Sequence, residues 1–342
     1  MYSDRLADYR MGNAPRYYLG AAPAEIDMRV PETVRKCVLF IGVRDVDGSI
    51  MYGGTAFIVL VPGTGSKSFG YLVTAKHTLD VLGDRPFVLR VNLKDGTSVI
   101  LEASVGHWSF HEDSTVDAAV APLAFNEPLD PDIVGIPVSN FIDDDVIAEH
   151  RIGSGDEVFV TGLFTRTVGT SRNMPIVRMG TVALMPPEKI PHAGTLIDAY
   201  LIEHHSIGGL SGSPVFVSET AIVPSVYGDP KKKMPDKLVF FAPGQTFFMG
   251  LIRGCWEVPP NPAFGQMEAM NVGISVVVPA QKIRDILFSE EQIALRKYFE
   301  DEELKNEPSG KLDHAMPAKN FTREDFETAL KKATRKITPD EK

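Results

Sequence analysis

Cysteine is scarce in this chain, because Cys37 and Cys255 are the only two among 342 residues. Two cysteines are too few for a disulfide framework in a chain of this length. The first ten residues lack the apolar core of a secretion signal, and no run approaches the roughly 18 apolar residues of a membrane-spanning helix. These absences predict a cytoplasmic, bacterial-type protein that has no membrane partner.

Positive charge is also in short supply, since 35 Lys and Arg face 45 Asp and Glu, which gives a formal net charge of −10. A chain with this balance is poorly suited to bind phosphate backbones, so we expect no nucleic-acid partner. Glycine and proline, by contrast, are plentiful, with 29 and 25 copies. So many helix breakers favour many short strands joined by turns over a helical bundle.

Twelve β-rich runs fall into two groups of six, separated by turn signals such as Asp47-Gly48 and by a loop-rich connection. The first group is 34–43, 54–61, 69–75, 87–91, 98–104 and 118–125, and the second is 157–164, 176–184, 196–203, 214–218, 247–253 and 272–278. Closing a sheet removes its exposed edges, so strands of this kind tend to form barrels. We therefore predict an all-β fold of two antiparallel six-stranded β-barrels, with a C-terminal helix and a helical tail.

The domain organisation follows from these groups. We predict an N-terminal arm at 1–31, an N-terminal barrel at 32–130, a C-terminal barrel with a closing helix at 131–290, and an acidic linker with a terminal helix at 291–342. In the last element, Thr322 and Asp325 form a helix-capping pattern, and Phe321 can pack on Phe326. The resulting 321–337 helix has an apolar stripe that either packs back on the body or binds a protein partner.

Three short motifs carry side chains suited to acyl transfer. The segment GLSGSP at 209–214 places Ser211 between glycines, which allow backbone N–H groups and a hydroxyl to converge on one carbonyl. The apolar run before His77 delivers an imidazole to a strand end, and Asp117 precedes another apolar run. A serine needs a base to accept its proton and a carboxylate to orient that base. The chain contains all three groups.

The order His77, Asp117, Ser211 resembles that of the trypsin-like (chymotrypsin-fold) serine peptidases. TAKH at 74–77, VDAAV at 116–120 and GLSGSP at 209–214 are similar to that family's motifs, and the resemblance covers about residues 32–290. It implies a serine endopeptidase that cleaves peptide or protein substrates, with the backbone N–H groups of Gly209 and Ser211 as its oxyanion hole. Leu210 stands where animal members carry an acidic residue, so no zymogen switch can operate through it.

The resemblance also implies the walls of a specificity pocket, which we assign to His205, Ile252, Arg253 and Gly254. Asp113 is a rival to Asp117, but it lacks a following apolar run. Four histidines are candidate metal ligands: His107, His111, His204 and His205. The sequence around them predicts a loop beside a strand and not a helical face, so we expect neither a metal nor a cofactor. Two other functions stay open: a peptide-binding or scaffold module whose catalysis has lapsed, and an esterase that uses the same triad.

Overall fold

A computed structural model describes residues 30–65, 67–83, 85–123, 129–205, 208–219, 245–258 and 270–306. Nearly all of the predicted N-terminal arm, the linker beyond residue 306 and the predicted 321–337 helix lie outside the described residues. Within the described part, no helix is both long and apolar enough to span a bilayer.

The chain is mostly β, which agrees with the predicted all-β class. Its helices are α1 (Glu32–Lys36), α2 (Lys76–Leu82), α3 (Asp144–His150), α4 (Ala280–Leu287) and α5 (Glu290–Asn306). Its strands are β1 (Val38–Arg44), β2 (Ile50–Pro62), β3 (Ser68–Thr74), β4 (Phe87–Asn92), β5 (Ser98–Ala103), β6 (Ser109–Phe110), β7 (Ala119–Leu123), β8 (Ile136–Pro137), β9 (Glu157–Gly162), β10 (Ile176–Leu184), β11 (Ile190–His192), β12 (Thr195–Ile197), β13 (Tyr200–Glu203), β14 (Pro214–Ser218), β15 (Thr246–Val258) and β16 (Met270–Pro279).

The N-terminal strands form one eight-stranded sheet in the order β5-β4-β1-β2-β3-β7-β6, with β8 added parallel to β2. Among the described residues this sheet is not closed, which differs from the predicted six-stranded barrel. A 3-10 turn at Val105–His107 separates β5 from β6, and β6 has only two residues, so the two ends of the sheet do not pair. The strand β8 also follows the predicted domain boundary at residue 130, so the first sheet extends beyond it.

The C-terminal strands form a closed barrel in the order β10-β13-β16-β15-β14-β9, which confirms a six-stranded barrel in this half of the chain. A further hairpin, β11-β12, lies outside it and was not expected from the sequence. The hairpin strands have three residues each and are joined through Ala193 and Gly194, both with positive φ, so they leave little periodic signal. After the barrel, α4 and α5 continue the helical pattern that begins at Pro279, and α5 reaches Asn306 inside the predicted linker.

A cluster of aromatic rings joins the two sheets. Phe248 of β15 lies 5.3 Å from Phe57 of β2, 4.6 Å from Phe141 and 5.9 Å from Phe216 of β14, measured between ring centroids. All four side chains are almost fully buried. Aromatic side chains bury large apolar areas and dominate core energetics. One apolar cluster therefore spans both sheets, so residues at their junction are held in fixed relative positions.

Polar contacts reinforce this junction on another side. Arg90 of β4 donates hydrogen bonds to the carbonyls of Gly169 and Thr170, each at 2.8 Å, and Asn92 accepts one from the backbone N–H of Asn173 at 2.6 Å. Arg90 is buried, and a buried guanidinium is tolerated only when its donors are satisfied. The loop between β9 and β10 is therefore anchored on the N-terminal sheet.

Candidate active site at the junction of the two sheets

His77 lies in the first turn of α2, directly after β3 ends at Thr74. The sequence places it at a strand end that enters a loop, whereas the structure begins a short helix at Lys76. The first backbone N–H groups of a helix have no partner within the helix. The N–H of His77 is satisfied by Asp117, since it donates to Oδ1 at 2.8 Å. This bond fixes the start of α2 relative to the segment before β7.

The side chains of the same two residues form a second hydrogen bond, with Nδ1 of His77 at 2.7 Å from Oδ2 of Asp117. The carboxylate is about 10% exposed, and the imidazole is 43% exposed. A carboxylate accepts hydrogen bonds, so it selects the imidazole tautomer that carries its proton on Nδ1. In that tautomer, Nε2 has a free lone pair and can accept a proton.

The charge state of Asp117 is set by competing effects. Burial by itself raises the pKa of this carboxyl, but the hydrogen bond and charge of His77, the His77 backbone N–H and the charge of Arg253 outweigh burial. The net pKa of Asp117 is therefore below its ordinary value. An ionised carboxylate can accept the hydrogen bond from Nδ1 and so hold the imidazole in one orientation.

Asp113, the rival carboxylate, is engaged elsewhere. Its Oδ1 accepts hydrogen bonds from the backbone N–H of Thr115 at 2.9 Å and from the Thr115 hydroxyl at 2.7 Å. Its Oδ2 pairs with Lys189 at 2.9 Å. The bonds from Thr115 and Lys189 hold the pKa of Asp113 well below its usual range. Asp113 thus shapes the turn before Asp117 and ties it to the segment before β11, while Asp117 contacts His77.

Ser211 lies in a tight turn between β13 and β14. Gly209 and Gly212 have φ of +98° and +80°, a backbone region that favours glycine. The N–H of Gly212 donates to the carbonyl of Ile252 at 2.9 Å, and the Ser211 carbonyl accepts from the N–H of Thr55 at 3.1 Å. The turn is therefore held between β15 of the barrel and β2 of the N-terminal sheet.

The Ser211 turn also lies against the segment that delivers His77. A Cβ atom added at Gly212 would lie 3.0 Å from the backbone nitrogen of Ala75, two residues before His77. Among the described residues, however, the structure records no hydrogen bond between the Ser211 hydroxyl and the His77 imidazole. Catalytic hydrogen bonds are often long or poorly aligned without substrate and tighten on binding. The turn therefore packs against the segment that precedes His77, and the His–Asp pair is formed without a recorded bond to Ser211.

A cavity of about 350 Å³ opens beside this pair. Arg253 of β15 lines it and donates a hydrogen bond to the carbonyl of Thr115 at 2.8 Å. His192 lines it from the β11-β12 hairpin, and burial followed by the charge of Arg253 lowers the His192 pKa. The complete lining is Lys76, His77, Asp80, Ser114, Thr115, Val116, Asp117, His192, Arg253 and Gly254. The cavity therefore adjoins the His–Asp pair.

The four residues assigned to the specificity pocket lie in different environments. Arg253 and Gly254 line the cavity with His77, but the side chain of Ile252 is fully buried in the core. The backbone of Ile252 instead pairs with the Ser211 turn. His205 is exposed, and its ring lies against Gly273 of β16. Only Arg253 and Gly254 therefore share a cavity with the His–Asp pair.

Sequence reasoning missed two residues at this site. His192 lies in the unexpected β11-β12 hairpin, so nothing in the sequence places it near His77. Thr55 bonds to the Ser211 turn from β2. The only signal for Thr55 was a polar residue within the apolar run at 54–61, and such a signal is too common to be used alone.

His204, which directly follows β13, is buried and adopts a defined tautomer. The Ser275 hydroxyl donates its proton to the His204 carbonyl at 2.9 Å. Nδ1 of the His204 imidazole lies 3.0 Å from the Ser275 hydroxyl oxygen, so Nδ1 must donate to that oxygen. Nε2 is then buried without a partner among the described residues. Burial, followed by the charges of Arg178 and His205, lowers the His204 pKa to about 4. The residue is therefore neutral at pH 7.

We expect His204 to make folding stability depend on pH. The unfolded chain takes up this proton as the pH falls below 6.5, whereas the folded chain resists protonation until about pH 4. The free energy of unfolding therefore falls through this window, by about 3 kcal/mol in total. His204→Asn keeps a donor for Ser275 and should remove most of this slope. Urea unfolding of both proteins between pH 7.5 and 4.5 measures the difference, and parallel curves would contradict the assignment.

Comparison with known proteins adds little to this geometry. No protein-family model matches the sequence, and no curated protein does. Among solved structures, the chain is similar to the MamO protease domain from Magnetospirillum magneticum (apo form), at 16% sequence identity over 74% of this chain and 97% of that chain, with a TM-score of 0.42. It is also similar to human heparin binding protein, at 11% identity over 80% and 94% of the two chains, with a TM-score of 0.39. At these identities and TM-scores, the similarities assign neither a family nor an activity.

Proposed function

We propose that this protein is a serine endopeptidase in which Ser211 is the nucleophile, His77 the general base and Asp117 the residue that orients His77. The observation that carries the proposal is the double hydrogen bond between His77 and Asp117, formed at the edge of a cavity. The glycine-flanked Ser211 turn packs against Ala75, two residues before His77, and supports the proposal. The chymotrypsin-like arrangement of the two sheets is part of this proposal.

In the proposed reaction, the Ser211 hydroxyl oxygen attacks a peptide carbonyl carbon while its proton passes to Nε2 of His77. The imidazolium that forms is stabilised by the ionised carboxylate of Asp117. When the tetrahedral intermediate collapses, the carbon–nitrogen bond breaks and His77 returns the proton to the leaving amine. A water molecule then attacks the acyl–Ser211 ester by the same route and releases the acid product.

The negative oxygen of the intermediate requires donors, which we assign to the backbone N–H groups of Gly209 and Ser211. One observation supports the second of these. The carbonyl of Leu210 accepts a hydrogen bond from the N–H of Ser213 at 2.9 Å. In a trans peptide the carbonyl and the following N–H point in opposite directions, so the Ser211 N–H points away from Ser213. A donor of this kind is typically worth about 100- to 1,000-fold in rate.

One observation favours a different function, namely that no hydrogen bond between the Ser211 hydroxyl and the His77 imidazole is recorded among the described residues. A peptide-binding module whose catalysis has lapsed needs the cavity but no bond between these two side chains. An esterase would need the same triad as the peptidase. The predicted cytoplasmic location and a protein partner for the 321–337 helix stay predictions, and neither is needed for this mechanism.

Cleavage profiling with a diverse peptide library distinguishes these functions. An endopeptidase cleaves internal peptide bonds with a consistent residue preference, and cleavage must be absent from Ser211→Ala protein purified in the same way. An esterase hydrolyses activated esters but leaves the peptides intact. Peptide binding without any turnover by the wild-type chain would overturn the proposal and support the binding module.

A further inference from the structure

Thr55 makes four hydrogen bonds at the junction of the two sheets, although it is fully buried in β2. Its N–H donates to the Ser211 carbonyl at 3.1 Å, and its hydroxyl donates to the Gly209 carbonyl at 2.8 Å. The hydroxyl also accepts from the N–H of Leu163 at 2.9 Å, and the Thr55 carbonyl accepts from the Thr74 hydroxyl at 2.8 Å. Every polar group of Thr55 is thus used.

These partners belong to three separate parts of the candidate site. Gly209 and Ser211 belong to the turn that carries the nucleophile, and Leu163 directly follows β9 of the barrel. Thr74 is the last residue of β3, three positions before His77. A hydroxyl donates one hydrogen bond and accepts others, so Thr55 can hold the Gly209 carbonyl and the Leu163 N–H at once.

We infer that Thr55 is a positioning residue, whose hydroxyl holds the turn in the conformation that aims the oxyanion donors. Three successive peptide planes of the turn are fixed through their carbonyl oxygens. Thr55 holds those of Gly209 and Ser211, and the Ser213 N–H holds that of Leu210. The Ser211 N–H lies in the middle plane. This role rests on the function proposed above.

Loss of the hydroxyl frees one of these planes. Gly209 has no side chain to restrict rotation, so the peptide after it is held mainly by the Thr55 hydroxyl. Gly209 also lies tightly against Leu163 and Thr165, since an added Cβ would meet both within 3.1 Å. The same hydroxyl accepts the hydrogen bond from the Leu163 N–H. Loss of the hydroxyl therefore loosens both the Ser211 turn and the Leu163 segment on which Gly209 packs. Small displacements of a catalytic group can cost about 100-fold in rate.

The test compares three variants of the full chain. Thr55→Val keeps the shape but removes the hydroxyl, Thr55→Ser keeps the hydroxyl, and Thr161→Val removes a buried hydroxyl that has no partner among the described residues. We expect Thr55→Val to lower kcat about 10- to 100-fold with KM changed less than about threefold. We expect Thr55→Ser and Thr161→Val to stay within about threefold of the wild type. If Thr55→Val does not fold, Thr55→Cys replaces it, because a thiol is a weak hydrogen-bond former.

Amide hydrogen exchange gives a second readout that needs no activity. Thr55→Val should accelerate exchange at Gly212 and Ser213, whose N–H groups donate to the carbonyls of Ile252 and Leu210, while Thr55→Ser and Thr161→Val should not. Wild-type protein that cleaves nothing would overturn the proposed function, and exchange would still decide whether Thr55 holds the turn. A valine variant with unchanged kcat and exchange, or a serine variant as impaired as the valine variant, would overturn the inference.

Discussion

Asp117→Asn is expected to lower kcat about 10,000-fold without unfolding the chain. The asparagine oxygen can still accept the hydrogen bond from the His77 N–H, so the start of α2 should keep its geometry. The asparagine NH₂ group, however, would face Nδ1 of His77 where the carboxylate now accepts. The imidazole then places its proton on Nε2, the atom that must accept the proton of Ser211. The tautomer becomes wrong for a general base.

Steady-state kinetics of the purified variant on the best library peptide measures this loss. Asp113→Asn is the matched control, because it removes a carboxylate four residues away that bonds Thr115 and Lys189 and does not contact His77. We expect the control to retain kcat within about threefold and to lose some stability. An Asp117→Asn enzyme with more than a tenth of the wild-type rate, or a more damaging Asp113→Asn, would contradict the assigned roles.

Gly212→Ala is expected to cost about 2 to 5 kcal/mol in folding stability and to abolish most of the activity. Gly212 has φ of +80°, where an L side chain is strained. Its added methyl group would also clash with the Thr55 carbonyl, the Thr74 hydroxyl and the Ala75 nitrogen. Two of these contacts are closer than real Cβ atoms permit, and one of the two is backbone. The Ser211 turn must therefore move away from the segment that carries His77.

Gly208→Ala is the control for this substitution, since an added Cβ there meets nothing within 4 Å and Gly208 has no positive φ. We expect it to change stability by less than about 1 kcal/mol. Urea unfolding and peptide cleavage measure both variants. If Gly212→Ala is as stable and as active as Gly208→Ala, the turn is not packed on β2 and β3 as described.

The parts of the fold that the sequence predicted are local in character. Each strand of the C-terminal barrel is an apolar run bounded by turn residues, and the helical period after Pro279 is visible within a few turns. His77, Asp117 and Ser211 could be singled out because each adjoins such a run. Their residue types and chain order then suggested a chemistry before any spatial information was used.

The parts that the sequence did not predict depend on contacts between distant segments. Arg253 bonds to Thr115, 138 positions away, and Thr55 bonds to Gly209, 154 positions away. No local pattern encodes such pairings, so the bond between Arg253 and Thr115 was not predicted and Thr55 was overlooked. The open N-terminal sheet was missed for a related reason. Closure depends on whether β5 and β6 meet, and their strand-like residues alone cannot show this.

Active-site labelling with a fluorophosphonate tests the central claim most directly, because the reagent forms a covalent bond only with a serine that is activated as a nucleophile. Intact-mass measurement followed by peptide mapping should find one adduct per chain, located on Ser211, in the wild-type protein. Ser211→Ala should show none, and Asp117→Asn should react far more slowly. A folded wild-type protein that stays unlabelled, or one labelled at another residue, would contradict the account.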